Sequence, residues 1–173
     1  MPQSKAIVVV DMVKGFLEPG HPLYCGDEAR GIIPCVVQWL SSNKETPIFY
    51  ICDSHAPDDR EFKMFPPHCV TGSEEAELIE ELKPYPGMII PKTSFSGFYN
   101  TDFEQELNRI QPEIVTVVGV CTDICVLYTV ADLRARDYEV EVPASCVVSF
   151  DSKGHEWALK HMEKVLGARV IKE

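Results

Sequence analysis

An α/β domain built on a parallel sheet is what the sequence predicts, and three observations predict it. The chain has 173 residues, room for one domain with a sizeable core. Six apolar, β-branched runs recur along it, at residues 6–10, 48–52, 88–90, 114–120, 139–142 and 168–171. Helical patterns lie between most of these runs, and runs such as Ile7-Val8-Val9-Val10 are continuous rather than alternating, as expected of strands covered on both faces.

Taken in order, the first run ends in Asp11 and leads into an irregular stretch at about 16–26. The helix after Asp27 carries Ile33, Val36, Val37 and Leu40 on one face. The second run ends in Asp53 and opens a longer irregular stretch, about 54–72, rich in Pro, His and Asp, which makes it a candidate functional loop. Ser73 is expected to cap a helix running to about Lys83. The third run is followed by Lys92. Thr101-Asp102-Phe103-Glu104 reads as a capping box opening a helix with Phe103, Leu107 and Ile110 inward. The fourth run passes through Gly119-Val120 into Cys121-Thr122-Asp123-Ile124-Cys125 at the start of another helix. After the fifth run, a last helix over about 152–166 ends at Gly167, a natural left-handed cap, and the final strand follows at once. No linker, repeat or low-complexity tract interrupts this pattern, so residues 1–173 are expected to form one domain.

Composition narrows the function classes. The apolar fraction is 45% and the charged fraction 25%, values of a folded soluble chain. Sixteen Lys and Arg against twenty-seven Asp and Glu leave a net charge of -11, which repels phosphate backbones and anionic headgroups, so neither nucleic acid nor a membrane is the expected partner. No apolar stretch approaches the roughly 20 residues that span a bilayer. Met1-Pro2-Gln3-Ser4-Lys5 leads straight into a strand without a signal-peptide pattern, so a cytoplasmic location is expected. Seven cysteines are scattered through apolar segments without the spacing of a zinc ribbon or disulfide framework. Cys25, Cys35, Cys52 and Cys146 read as buried apolar filler, and Cys69 as structural.

In open parallel sheets, ligands bind beyond the carboxyl ends of the strands. Asp11, Asp53, Lys92 and the Cys121–Cys125 segment therefore converge on one edge. Any one of them alone is explained by a strand end reaching solvent; four in succession point to a site. Cys125 is the expected nucleophile, because a thiol in the first turn of a helix gains from the backbone N–H groups and dipole. Cys121 is the rival, its backbone N–H being better placed to bind an oxyanion than its sulfur is to attack. A second constellation, Asp53-Ser54-His55, Glu61 and His68 within Phe65-Pro66-Pro67-His68-Cys69, supplies two imidazoles and two carboxylates on a proline-held loop. That set suits Zn²⁺, Mn²⁺ or Fe²⁺, although a loop rich in Asp and His is also ordinary solvated surface. His21, His155 and His161 lack such company and read as surface.

Val10-Asp11-Met12-Val13-Lys14-Gly15-Phe16, Pro91-Lys92-Thr93-Ser94-Phe95-Ser96-Gly97-Phe98 and Gly119-Val120-Cys121-Thr122-Asp123-Ile124-Cys125-Val126 together resemble the isochorismatase-like cysteine hydrolases over nearly the whole chain. The resemblance implies a three-layer α/β/α domain, six parallel strands in the order 3-2-1-4-5-6, and a triad of Asp11, Lys92 and Cys125 with an oxyanion hole from the backbone N–H groups of Cys121 and Cys125. It implies a cis Val120–Cys121 peptide as well. Within that family the metal loop looks like that of the nicotinamidases. This implies one divalent ion on Asp53, His55, Glu61 and His68, apolar substrate walls at Phe16, Phe65 and Tyr99, a small amide substrate, a homo-oligomer, and a place in pyridine nucleotide biosynthesis. The expected reaction is hydrolysis of nicotinamide to nicotinate and ammonia through a Cys125 thioester. The alternatives are a ureido, carbamoyl or isochorismate hydrolase of the same superfamily, or a non-catalytic metal-binding protein on this fold.

Overall fold

The computed structural model of the chain describes residues 3–172; Met1 and Pro2, on which the reading of the leader partly rests, lie outside them. Its strands are β1 (Lys5–Val10), β2 (Ile48–Asp53), β3 (Met88–Lys92), β4 (Ile114–Val120), β5 (Glu139–Pro143), β6 (Val147–Val148) and β7 (Arg169–Ile171). Its helices are α1 (Lys14–Leu17), α2 (Asp27–Arg30), α3 (Ile33–Ser42), α4 (Phe103–Ile110), α5 (Leu127–Ala135) and α6 (Ser152–Lys164).

The sheet runs β3-β2-β1-β4-β5-β7 and every pairing in it is parallel, with the two-residue β6 joining β4. The six expected strands thus stand in the expected order, and β6 is an addition too short to register as an apolar run. Alternation along β1 divides the core. Ala6, Val8 and Val10 pack with Phe103, Leu107, Val130, Leu133, Ala158 and Met162 from α4, α5 and α6, whereas Ile7 and Val9 face Leu17, Ile33, Val36 and Leu40 from α1 and α3. Two apolar clusters on opposite faces make the three layers, and burying each such aliphatic side chain contributes about 1.5–3 kcal/mol.

Several local expectations are corrected. Residues 73–83 form only two short 3₁₀ turns, Glu74–Ala76 and Glu80–Leu82. The backbone between them is taken by another segment: the Glu77 carbonyl accepts from Lys14 N–H at 2.9 Å, and Ile79 N–H donates to the Met12 carbonyl at 3.2 Å. The helix after Asp27 is split into α2 and α3, because Pro34, in the first turn of α3, has no N–H to continue a helix from upstream. At α4 the cap is Asp102, yet the N–H of Phe103 is accepted by Thr101 Oγ1 at 3.2 Å, and Ile110 is exposed rather than inward. Cys35 and Cys146 are not apolar filler: they form a disulfide, with Cα atoms 5.5 Å apart, that ties α3 to the turn between β5 and β6.

Candidate active site

β1 sits between β2 and β4, with Val10 opposite Ile51 on one side and Gly119 on the other, so the strand-end residues of three strands meet there. Gly119 makes the approach possible. Its φ of +119° suits glycine, and a Cβ would overlap the Val10 carbonyl oxygen. Asp11, immediately after β1, has φ +50°, a left-handed conformation that Asp tolerates better than most residues. Its N–H is held by the Ile51 carbonyl at 2.8 Å, and its Oδ1 accepts from Asp53 N–H at 2.8 Å. Asp53 and Lys92 are register partners on β2 and β3.

These placements gather four buried polar groups. Lys92 Nζ lies 2.9 Å from Asp11 Oδ2, donates to Asp53 Oδ1 and to the Ser94 carbonyl (2.9 Å), and reaches Cys125 Sγ at 3.5 Å. Burial works against the ammonium, but Asp11 and then Asp53 outweigh it and hold Lys92 well above the usual lysine range. Burial and the Asp53 charge push the Asp11 carboxyl up to about 6, against the pull of Lys92. Asp53 experiences the same burial, yet Lys92 and then the facing imidazoles of His55 and His68 keep it well below the carboxylate range. Of the two acids, Asp11 is therefore the one able to take a proton. Burial, only partly offset by Lys92, raises the Cys125 thiol well above its ordinary value.

Cys125 lies, as expected, in the first turn of the helical stretch that continues into α5, but that turn is a wide one, Thr122–Val126, closed by Val126 N–H on the Cys121 carbonyl at 3.2 Å. Such single π-type turns recur at functional sites. The turn brings the sulfur inward: Cys125 is only 7% exposed. The turn is anchored to α6 through Thr122 Oγ1 and His155 Nδ1, 2.7 Å apart, and to Ser149, whose hydroxyl donates to Asp123 Oδ1 at 2.6 Å. His155 thus has a bonded role where a surface position was expected. The Val120–Cys121 peptide is cis, as the resemblance implies.

Beside this cluster Asp53, His55, Glu61 and His68 offer one ligand atom each within 4.8 Å of one another, all four buried. His55 Nδ1 pairs with Asp59 Oδ2 at 3.0 Å and His68 Nδ1 with the Pro66 carbonyl at 2.8 Å. Bonds of that kind fix the ring and present the opposite nitrogen inward. His55 Nε2 is buried without a hydrogen-bond partner, 3.3 Å from Asp53 Oδ2. Two imidazole nitrogens facing two carboxylates, one of them orphaned, fit a divalent cation of the borderline class. With only protons to balance the charge, burial opposes the His55 imidazolium, but Asp53, Asp59 and Glu61 hold it up at about 9.

A cavity reaches both groups; its lining includes the polar Asp11, Asp53, Glu61 and His68, the thiols Cys25, Cys121 and Cys125, and the apolar Phe16, Leu23, Phe65, Phe95, Ile124 and Phe150. Phe16 and Phe65 lie where a substrate wall was expected; Tyr99 does not. It is 57% exposed and lines a neighbouring hollow that shares Glu61 and Phe95 with the cavity. Sequence reasoning missed Asp59, four residues beyond His55, and the double duty of Asp53, whose Oδ1 meets Lys92 while its Oδ2 faces the imidazoles.

A parallel sheet in this order, with an Asp, a Lys and a Cys at the β1/β4 crossing beside a metal-type quartet, defines the class of isochorismatase-like hydrolases. The chain belongs to that family: the profile of the Isochorismatase domain matches residues 5–172. The isochorismatase family protein PncA of Bacillus subtilis (strain 168), called uncharacterized, is 33% identical over 181 residues, covering 96% of this chain and 98% of its own. A crystal structure of nicotinamidase PncA from Bacillus subtilis superposes with a TM-score of 0.92 at 33% identity, over 98% of this chain and 99% of the other. The pyrazinamidase of Pyrococcus horikoshii in complex with zinc gives 0.88 at 29% identity, over 99% and 100%.

Proposed function

We propose that the chain, as a single domain, is a metal-dependent amidohydrolase that converts nicotinamide to nicotinate and ammonia. The observation that carries this reading is the orphaned His55 Nε2 facing Asp53, whose carboxylate, with Glu61 and His68, lines one cavity together with the buried Cys125 thiol. The cavity walls add to it. Among the described residues its lining holds no Arg or Lys, and Lys92 beneath it is already paired with Asp11 and Asp53, so an uncharged aromatic amide suits it better than the carboxylates of isochorismate or of ureido acids.

Asp11 takes the proton of Cys125 as the sulfur attacks the carboxamide carbon, so the high thiol pKa is overcome in the attack itself. The same proton goes to the amide nitrogen as the C–N bond breaks and ammonia leaves. Water then attacks the thioester, giving its proton to Asp11, and the acid and the Cys125 thiol are released. Lys92 holds the Asp11 carboxylate and the developing thiolate throughout, and the N–H groups of Cys121 and Cys125 stabilise the oxyanion. Asp53, His55, Glu61 and His68 would hold the divalent ion, Zn²⁺, Mn²⁺ or Fe²⁺, which when bound anchors the pyridine nitrogen so that the carboxamide meets the sulfur. Phe16 and Phe65 flank the ring.

The test joins metal analysis by mass spectrometry to ammonia release from nicotinamide and from benzamide, which has no ring nitrogen. Chelation should cost nicotinamide turnover far more than benzamide turnover, and His55→Ala should reproduce that selective loss. A metal-free enzyme that keeps its preference for nicotinamide overturns the reading.

A further inference from the structure

The cavity holds a pair of thiols that this chemistry leaves unused. Cys25, on the loop between α1 and α2, and Cys121, at the end of β4, place their sulfurs 3.6 Å apart, and both are free thiols. Both line the cavity through which substrate would reach Cys125, whereas the buried free thiols of Cys52 and Cys69 are absent from that lining. Disulfide sulfurs lie about 2.05 Å apart, so a movement of roughly 1.5 Å closes the pair. Cys25 is the side that can move. It belongs to no helix or strand, and Gly26 follows it at φ +96° with open space where a side chain would stand.

We propose that Cys25 and Cys121 form an oxidisable dithiol, which a hydroperoxide closes to a disulfide and a thiol reductant reopens, taking the cavity out of turnover in between. The Cys25 sulfur attacks a peroxide oxygen, the O–O bond breaks, and the alcohol or water leaves with Cys25 as sulfenic acid. The Cys121 sulfur, losing its proton, displaces that hydroxyl as water and the S–S bond forms. Two thiols and one hydroperoxide thus give one disulfide, one alcohol (or water) and one water. Cys121 is the second to react because it is held at the end of β4, whereas Cys25 lies on the loop between α1 and α2. The bond would draw on two parts of the site. Cys121 carries one of the proposed oxyanion N–H groups, and the Cys25 N–H is bonded to the carbonyl of Phe16, a proposed ring wall, at 2.9 Å. The loss of turnover rests on the proposed function; formation of the bond does not.

The experiment treats the enzyme with hydrogen peroxide, blocks free thiols by alkylation and maps the unreduced peptides by mass spectrometry. The expected product is a cross-linked pair containing Cys25 and Cys121, short by two hydrogens, with the Cys125 peptide alkylated. Cys125→Ala should give the same cross-link, which separates it from oxidation of the nucleophile. Ammonia release should fall by up to roughly the 10²–10³ that one lost oxyanion donor costs, and dithiothreitol should restore it. Cys25→Ser, measured against its own untreated rate, should show no such reversible loss. Recovery of Cys25 and Cys121 both alkylated, a Cys121–Cys125 link, or a Cys25–Cys121 cross-linked enzyme at full rate overturns the proposal. Should no amide be hydrolysed at all, the proposed function fails and the peptide map still decides the bond.

Discussion

At Asp11 opposed influences act on one carboxyl group: burial and the neighbouring Asp53 raise it, Lys92 and the Cys125 hydrogen bond lower it, and it settles at about 6. A group there can accept a proton and return it near neutral pH, which is what a shuttle between sulfur and amide nitrogen requires. Asp11→Asn keeps the shape and loses the base, so the rate should drop by roughly 10²–10⁴ with metal content unchanged. Comparable ammonia release in the Asn variant across several pH values would remove Asp11 from the chemistry. Cys125→Ala should be folded and inactive, and acid-trapping of the wild type with substrate should leave an acyl group on the Cys125 peptide; an adduct on Cys69 or Cys121 would identify a different nucleophile. Asp11 and Asp53 were legible in the sequence because each follows directly on an apolar run, Lys92 because only Pro91 separates it from one, and Cys125 because it stands at the helix start that follows the fourth run. Asp59 was not, since only the fold of the loop brings its carboxylate to His55 Nδ1. Nor was the placing of Tyr99, because aromatic character says nothing about which of two neighbouring hollows a ring lines.

The element on which the site depends is the path from β4 through the wide turn into α5. Gly119 is its narrowest point, where a side chain would be strained by φ and would strike backbone rather than a yielding side chain. Gly119→Ala should therefore lower stability by more than about 1 kcal/mol, read as a fall in the urea midpoint at unchanged m value. An unaltered midpoint would show that β1 and β4 can separate freely at this position. β1, β2 and β4 were readable because parallel strands buried on both faces are almost wholly apolar. The supposed helix at 73–83 was not, since a 3.6-residue pattern cannot reveal that residues 12–14 take up its backbone groups. The wide turn left no trace in periodicity either, because one turn is too short to have a period.

Across the whole molecule, chemistry sits at the carboxyl edge of the sheet and a separate charge cluster lies away from it. Glu141 on β5 is buried, accepts from Thr116 Oγ1 at 2.8 Å, lies 3.3 Å from Lys5 Nζ and pairs with Arg169, joining β1, β4, β5 and β7. Burial would raise its pKa, but the Thr116 hydrogen bond, Lys5 and Arg169 prevail and lower it. A depressed carboxyl contributes stability that is present above the unfolded glutamate pKa and is lost as pH falls through the folded one. Glu141→Gln should therefore be less stable than wild type at neutral pH and should lose less on acidification, in urea melts at both pH values; parallel pH profiles would contradict this. The adjacency of β1 and β4, which creates the site, was available from family resemblance alone, as no local pattern states which distant strands pair. One topological detail has a dynamic consequence. Lys92 stands on β3, an edge strand, which among the described residues pairs with β2 alone. Fraying of that edge would pull the ammonium away from two buried carboxylates, so the charge cluster acts as a clasp on a strand that would otherwise open easily. Amide hydrogens along β3 should then exchange slowly for an edge strand, and Lys92→Met should speed their exchange while leaving β1 and β4 protected.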